Sequence, residues 1–219
     1  MKTLAAVLVK TNQPLVLQEL IIPKLKAGQV LIEIAYSGIC STQLLELDGK
    51  RGPDRFLPHC LGHEGSGRVL DIGDAITKVK PGDHVVLSWI KGSGCNVPGT
   101  TYQNGETIVN AGGVTTLQRH AVVSENRVTK LSEDFPLDQA ALLGCAVPTG
   151  CGSVINTARV RPGESIVVFG VGGVGLNAVA AAKLCGAVSI VAVDLSESRL
   201  QIATRLGATA TISTDQDLL

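Results

Sequence analysis

The chain has 219 residues, of which 45% are hydrophobic and 17% charged, so its composition is that of a globular protein with one domain or two small ones. Nineteen basic residues balance nineteen acidic ones, which argues against nucleic acid as a partner. No apolar run approaches the roughly 20 residues that span a bilayer. Six scattered cysteines and no export signal favour reduced thiols and a cytoplasmic location.

The first 150 residues or so consist of short apolar runs separated by turn signals such as Pro-Gly-Asp. The runs are LAAVLV, VLIEIA, GRVLDI, HVVLSW and HAVVSE. Each is long enough for one strand, so the pattern predicts a β-rich domain. Residues 91–116 are rich in Gly, Thr and Asn without periodicity, and we predict a long loop there.

After this region the pattern changes to strands that alternate with helices. The segments are SIVVFG, LNAVAAAKLCG, SIVAVD, ESRLQIATRLG and TATIS. The strand segments are apolar on both faces, as expected for a parallel sheet covered by helices. The sequence therefore predicts an α/β protein with a β-rich domain over residues 1–152 and a βαβαβ unit over residues 153–219.

A glycine turn follows the first strand of that unit. Gly170, Gly172 and Gly175 form G-x-G-x-x-G, with Gly173 inside the turn, and Asp194 ends the next strand. This context is typical of dinucleotide binding, in which backbone N–H groups receive the pyrophosphate and the acidic residue accepts from the ribose. The negative charge of Asp194 favours NAD over NADP. The alternatives are a turn used only for packing and an exposed aspartate without a ligand.

Three separated segments carry residues of the types that bind zinc. Cys40 follows a predicted strand, His63 lies in LGHEGSG, and Cys145 precedes AVPTG. Two thiolates and one imidazole leave a fourth position open, which is the arrangement of a catalytic zinc site. A histidine among small apolar residues is, taken alone, more often a buried structural residue than a ligand.

Longer motifs surround these residues. Residues 62–76, GHEGSGRVLDIGDAI, together with VKPGDHV, CAVPTG and the glycine turn, resemble the zinc-containing medium-chain alcohol dehydrogenase family, and the similarity runs along the whole chain. The resemblance implies a GroES-like β-fold followed by the first βαβαβ half of a Rossmann doubly wound sheet. The zinc-free quinone reductase branch is disfavoured because all three ligand positions are filled.

The resemblance also implies roles for single residues. One catalytic zinc would be bound by Cys40, His63 and Cys145, and Glu64 would approach the metal. Thr42 would hydrogen-bond the substrate oxygen and start the proton relay. Thr149 would line the nicotinamide site. In this mechanism zinc polarises an alcohol oxygen and hydride passes to NAD, or the reverse with an aldehyde or ketone.

The chain departs from the family pattern at several positions. Gln43 stands where an aspartate commonly orients the histidine ligand, Ser41 replaces a basic residue, and Leu45 replaces a relay histidine found in some members. Only Cys95 lies where a structural zinc would need four cysteines, so we predict no structural zinc. The remaining cysteines and His84 and His120 are predicted to be structural, and His59 is predicted either to line the pocket or to belong to a turn.

Two functions from different classes follow. The first is a zinc- and NAD-dependent alcohol dehydrogenase that acts on a small alcohol or aldehyde, as a homo-oligomer in its full-length form. The second is a non-catalytic remnant or fragment that binds zinc and nucleotide weakly, because family chains run well beyond the third strand of the nucleotide domain. In that case the strand SIVVF would form an open edge of the sheet.

Overall fold

The computed structural model describes residues 1–214, and the chain divides into two compact units on either side of the bond between Cys145 and Ala146. The predicted ranges 1–152 and 153–219 place the boundary later in the chain and stay a prediction. No single helix within residues 1–214 is both long and apolar enough to cross a membrane.

The described part of the first unit is mainly β-structure, as predicted. Its strands are β1 Lys2–Leu8, β2 Val16–Ile21, β3 Gln29–Ser37, β4 His59–Cys60, β5 Glu64–Ile72, β6 His84–Ser88, β7 Thr101–Asn104, β8 Thr107–Asn110, β9 His120–Ser124 and β10 Val128–Lys130. Strands β1-β2-β7-β8-β4 close a barrel, and β10-β6-β5-β3-β9 form a second sheet. The helices are α1 Ser41–Leu47 and α2 Leu137–Ala140, with 3₁₀ turns at Glu125–Arg127 and Ala141–Gly144.

Strand β3 shows how the alternating pattern builds two cores. Val30 and Ile32 are fully buried in one cluster with Val85, whereas Leu31 packs into a second cluster with Tyr102. Because neighbouring side chains of a strand point to opposite faces, a continuous apolar run here covers both the sheet core and the barrel core.

The predicted loop over residues 91–116 is wrong in its central part. Thr101–Asn104 and Thr107–Asn110 pair as an antiparallel hairpin that completes the barrel. Its two-residue loop begins at Gly105, whose φ of +58° is the backbone conformation that glycine adopts without a steric penalty. The dipeptide Asn-Gly was the available signal for this hairpin.

The second unit has the predicted βαβαβ arrangement. Its elements are α3 Ala146–Gly152, a π-helical segment Ser153–Ala158, β11 Ser165–Phe169, α4 Gly173–Leu184, β12 Ser189–Asp194, α5 Glu197–Leu206 and β13 Ala210–Ser213. The strands are parallel in the order β11-β12-β13, so β11 is an edge strand within the described residues, as expected. Val167 and Phe169 on β11 are accordingly exposed, whereas Ile190 and Ala192 on β12 are buried.

Candidate metal centre and nucleotide turn

Cys40 is held at the start of a short helix. It is the N-cap of α1, and its backbone N–H donates to Gln43 Oε1 at 2.8 Å in a capping box. The Cys40 Sγ lies 3.7 Å from Thr42 Oγ1, so the thiol and the predicted relay hydroxyl share one helical turn.

His63 lies between β4 and β5, where the chain passes very close to its neighbours. The preceding Gly62 has a φ of +92°, and a Cβ there would lie 2.3 Å from Thr116 Oγ1. No other residue type fits that position without a backbone shift. The glycine therefore fixes the path of the chain into His63 and Glu64.

Cys145 completes the group. It follows the 3₁₀ turn Ala141–Gly144, and the carbonyl of Gly144 accepts a hydrogen bond from Ser88 Oγ at 2.7 Å. The ligand atoms of Cys40, His63 and Cys145 all lie within 4.8 Å of one another. Two ligands of a tetrahedral zinc ion, each at 2.0–2.3 Å, are about 3.3–3.8 Å apart, so shifts on the order of 1 Å would let this donor set hold zinc.

Gln43 contacts the imidazole, at the position where the family commonly has an aspartate. Its Nε2 faces His63 Nδ1, while its Oε1 is already bound to the Cys40 N–H. An aspartate at this position would present an oxygen to the imidazole, whereas Gln43 presents its amide nitrogen. Because Nδ1 is occupied, Nε2 is the imidazole atom left for a metal.

Glu64 is almost fully buried beside this group. A Cβ at Gly38 would lie 2.6 Å from Glu64 Oε1, which places the carboxyl group against the segment that leads into Cys40. A Cβ at Gly144 would lie 2.8 Å from Glu64 Cβ, so the same side chain also adjoins the segment that carries Cys145. Glu64 thus adjoins the segments that carry Cys40 and Cys145 and directly follows His63 in the chain.

The glycine turn of the second unit has the geometry that phosphate binding requires. Gly170 has a φ of +77°, and a Cβ at Gly175 would lie 2.0 Å from Gly170 O, so α4 packs directly on the end of β11. Gly172 is the N-cap of α4, and no atom lies within 4 Å of a Cβ placed there. The start of α4, including Gly173, is therefore open to a pyrophosphate group.

Asp194 lies beside this turn rather than projecting into solvent. It is 6% exposed, and its carboxylate accepts hydrogen bonds from Val171 N at 2.8 Å and Ser196 N at 2.9 Å. Arg199 Nη1 lies 3.7 Å from Asp194 Oδ1. A carboxylate accepts about four hydrogen bonds, which leaves lone pairs for ribose hydroxyls. Thr149 is exposed on α3 of the same unit.

A second group of titratable residues was missed by the sequence reasoning. His59 is buried, with Nε2 2.8 Å from Asp54 Oδ2 and Nδ1 2.9 Å from Cys60 O, and the Glu46 carboxylate completes the group. Burial raises the pKa of Asp54, but the Phe56 N–H and the His59 bond outweigh it and lower the pKa. These contacts tie the segment between α1 and β4 to the barrel.

Family models match both units. The model of the alcohol dehydrogenase GroES-like domain matches residues 26–133, and the model of the zinc-binding dehydrogenase matches residues 173–219. The chain belongs to the zinc-containing medium-chain alcohol dehydrogenase family. Membership confirms the predicted GroES-like fold followed by part of a Rossmann sheet.

Individual family members agree with this assignment. The alcohol dehydrogenase class-3 of Cereibacter sphaeroides is 37% identical over 95% of the chain, and the S-(hydroxymethyl)glutathione dehydrogenase of Paracoccus denitrificans is 36% identical over 95%. The crystal structure of benzyl alcohol dehydrogenase from Acinetobacter calcoaceticus superimposes on the chain with a TM-score of 0.85 and 35% sequence identity. The match covers the whole of this chain and 66% of the benzyl alcohol dehydrogenase chain. The chain spans 62% of the length of the first two relatives.

Proposed function

We propose that this chain supplies the zinc-binding catalytic unit and the adenosine side of the nucleotide site of an NAD-dependent alcohol dehydrogenase. The observation that carries the proposal is the convergence of Cys40, His63 and Cys145 from three distant segments within 4.8 Å. The class of the relatives, which are alcohol and S-(hydroxymethyl)glutathione dehydrogenases by name, supports an alcohol or its aldehyde or ketone as substrate.

Each residue has a chemical task in this proposal. Cys40, His63 and Cys145 hold the metal, which when bound supplies Lewis-acid polarisation of the substrate oxygen. Thr42, 3.7 Å from Cys40 Sγ, accepts the hydroxyl proton and passes it on. Glu64 adds negative charge next to the ligands, which tunes their strength.

Cofactor choice rests on Asp194. Its carboxylate borders the glycine turn and would repel a 2′-phosphate, which supports NAD rather than NADP. Proton exit needs a route that avoids Leu45, because a leucine cannot relay protons. A single zinc per chain, a cytoplasmic location and a homo-oligomeric full-length form stay predictions.

The first experiment measures the number of zinc ions per chain by elemental analysis of the purified protein. We expect one zinc in the parent, loss of zinc in Cys145→Ser, and no loss in the matched control Cys95→Ser. Absence of zinc from the folded parent would contradict the proposal. Zinc with no turnover of any alcohol in the presence of NAD would instead favour the non-catalytic alternative.

A further inference from the structure

Thr116 contacts residues 61–64, here called the ligand loop, on both sides of His63. It is 1% exposed and lies in the segment between β8 and β9. Its backbone N–H donates to Leu61 O at 3.1 Å, and its hydroxyl donates to Glu64 O at 2.9 Å. One buried residue from a distant segment therefore holds the chain before and after a candidate metal ligand.

Two glycines bring the ligand loop into contact with the Thr116 side chain. A Cβ at Gly62 would lie 2.3 Å from Thr116 Oγ1, and a Cβ at Gly65 would lie 2.9 Å from Thr116 Cγ2. Glycine allows this close approach, but it also gives the backbone more conformations than any other residue. The contacts with Thr116 restrict that freedom on both sides of His63.

The hydroxyl groups of Thr116 and Ser37 form a short chain of hydrogen bonds. Their oxygens are 2.7 Å apart, and the one hydroxyl hydrogen of Thr116 is directed at Glu64 O, so Ser37 is the donor to Thr116 Oγ1. Ser37 ends β3, and the N–H of the next residue, Gly38, donates to the same Glu64 O at 3.1 Å. The segment that leads from β3 into α1 is therefore linked through Thr116 to the ligand loop.

Thr116 is itself anchored to the barrel. The following residue, Leu117, accepts from the N–H of Ala6 in β1 at 2.9 Å and donates to Leu61 O at 3.0 Å. A β-branched side chain also has few rotamers, so the hydroxyl and the methyl group keep their directions. Such rigid support is what a residue needs if it is to orient a metal ligand.

We propose that Thr116 is a positioning residue of the candidate metal centre, and that it holds the ligand loop in the conformation from which His63 binds zinc. The inference rests on the proposed function, because it concerns the zinc site of that proposal. Its physical basis is preorganisation: a ligand loop that is already ordered loses less conformational entropy when the metal binds.

The test compares Thr116→Ala, which removes the hydroxyl, with Thr116→Ser, which keeps it. The Kd for zinc is measured by competition with a chromophoric chelator. We expect Thr116→Ala to raise the Kd about tenfold, and Thr116→Ser to stay within about threefold of the parent protein. The matched control is Thr100→Ala, because Thr100 is 6% exposed and its hydroxyl accepts from Gln29 Nε2 at 3.1 Å. This control should bind zinc like the parent.

A second readout is the visible absorption of the protein loaded with Co²⁺ in place of zinc. The absorption bands depend on the geometry of the ligands around the ion, which a general loss of stability leaves unchanged in folded protein. We expect the parent, Thr116→Ser and Thr100→Ala to share one spectrum and Thr116→Ala to differ from it.

Three results would overturn the proposal. The first is a folded Thr116→Ala variant with the Kd and the Co²⁺ spectrum of the parent. The second is an equal rise of the Kd in Thr100→Ala, which would reduce the effect to general destabilisation. The third is the same high Kd in Thr116→Ser, which would remove the hydroxyl from the explanation.

A further variant keeps the proposal testable if Thr116→Ala does not fold. Ser37→Ala removes the donor to Thr116 Oγ1 and leaves Thr116 in place. We expect it to raise the Kd for zinc about threefold, which corresponds to the loss of one hydrogen bond. An unchanged Kd in folded Ser37→Ala would contradict the proposal.

Failure of this inference is distinguishable from failure of the proposed function. A parent protein that binds neither zinc nor Co²⁺ would refute the proposed function and this inference with it. A parent that binds zinc, together with a Thr116→Ala variant that binds it equally well, would refute only the role of Thr116.

Discussion

Replacing Gln43 by Glu should strengthen zinc binding. Gln43 is 3% exposed, its Oε1 accepts from Cys40 N–H at 2.8 Å, and its Nε2 faces His63 Nδ1. A neutral histidine that binds metal through Nε2 carries its proton on Nδ1 and needs an acceptor there. Gln43 provides that acceptor only if its amide rotates by 180°, which leaves the Cys40 N–H facing an NH₂ group.

The size of the effect follows from this conflict. One mismatched buried hydrogen bond costs about 1–3 kcal/mol, which is roughly 5-fold to 150-fold in affinity. A glutamate of nearly the same shape removes the mismatch, because one oxygen accepts from Cys40 and the other from His63. We therefore expect Gln43→Glu to lower the Kd for zinc about 10-fold to 100-fold, in line with the usual effect of residues that orient metal ligands.

The assay is competition with a chromophoric zinc chelator at constant pH and ionic strength. Gln43→Met keeps the volume of the side chain and removes both hydrogen bonds, so it should raise the Kd above that of the parent protein. A Gln43→Glu variant with native circular dichroism and a Kd equal to or above that of the parent would refute the reasoning.

Three further predictions concern stability and thiol reactivity. Gly175→Ala places a Cβ 2.0 Å from Gly170 O, so it should destabilise the second unit by more than about 2 kcal/mol in urea unfolding and weaken nucleotide binding. Burial raises the pKa of Glu125, but backbone N–H bonds outweigh it and lower the pKa to about 2. The ionised Glu125 side chain should contribute on the order of 2–3 kcal/mol to the free energy of unfolding at neutral pH. This contribution should be lost as the pH falls from about 4.5 to 2, and Glu125→Gln should flatten the dependence of stability on pH in that range. Burial raises the pKa of Cys60 to about 12, so a thiol reagent at pH 8 should modify Cys60 only as fast as the protein unfolds.

The sequence was sufficient for the features that depend on local pattern. The period of the apolar residues and the glycine spacing predicted the βαβαβ unit and its turn, since Gly170 and Gly175 lie within a few residues of each other. The family resemblance, and not local periodicity, indicated that Cys40, His63 and Cys145 would lie together, as they do in the structure, and their role as zinc ligands stays a prediction. The hairpin at Gly105 was overlooked although its turn signal was present.

The features that escaped prediction depend on contacts between distant segments. The orientation of the Gln43 amide is set by the N–H of Cys40 and by an imidazole 20 residues away. The contact of the Arg127 guanidinium with the Trp89 ring, 5.3 Å from the carbon to the ring centroid, depends on the register of β6 against β10, in which Val128 pairs with Leu87. No local periodicity encodes such a register.

Strand direction explains why the segments that carry Cys40 and His63 lie at one edge of the sheet. Strand β3 is antiparallel to β5, with Ser37 opposite Gly65, and β5 is antiparallel to β6, with Glu64 opposite Ser88. The end of β3, the start of β5 and the end of β6 therefore meet, which brings together the segments that carry the first thiol, the imidazole and the indole. Because this edge lies within the first unit, residues 1–145 encode all three candidate metal ligands, and the proposed zinc site does not depend on the second unit.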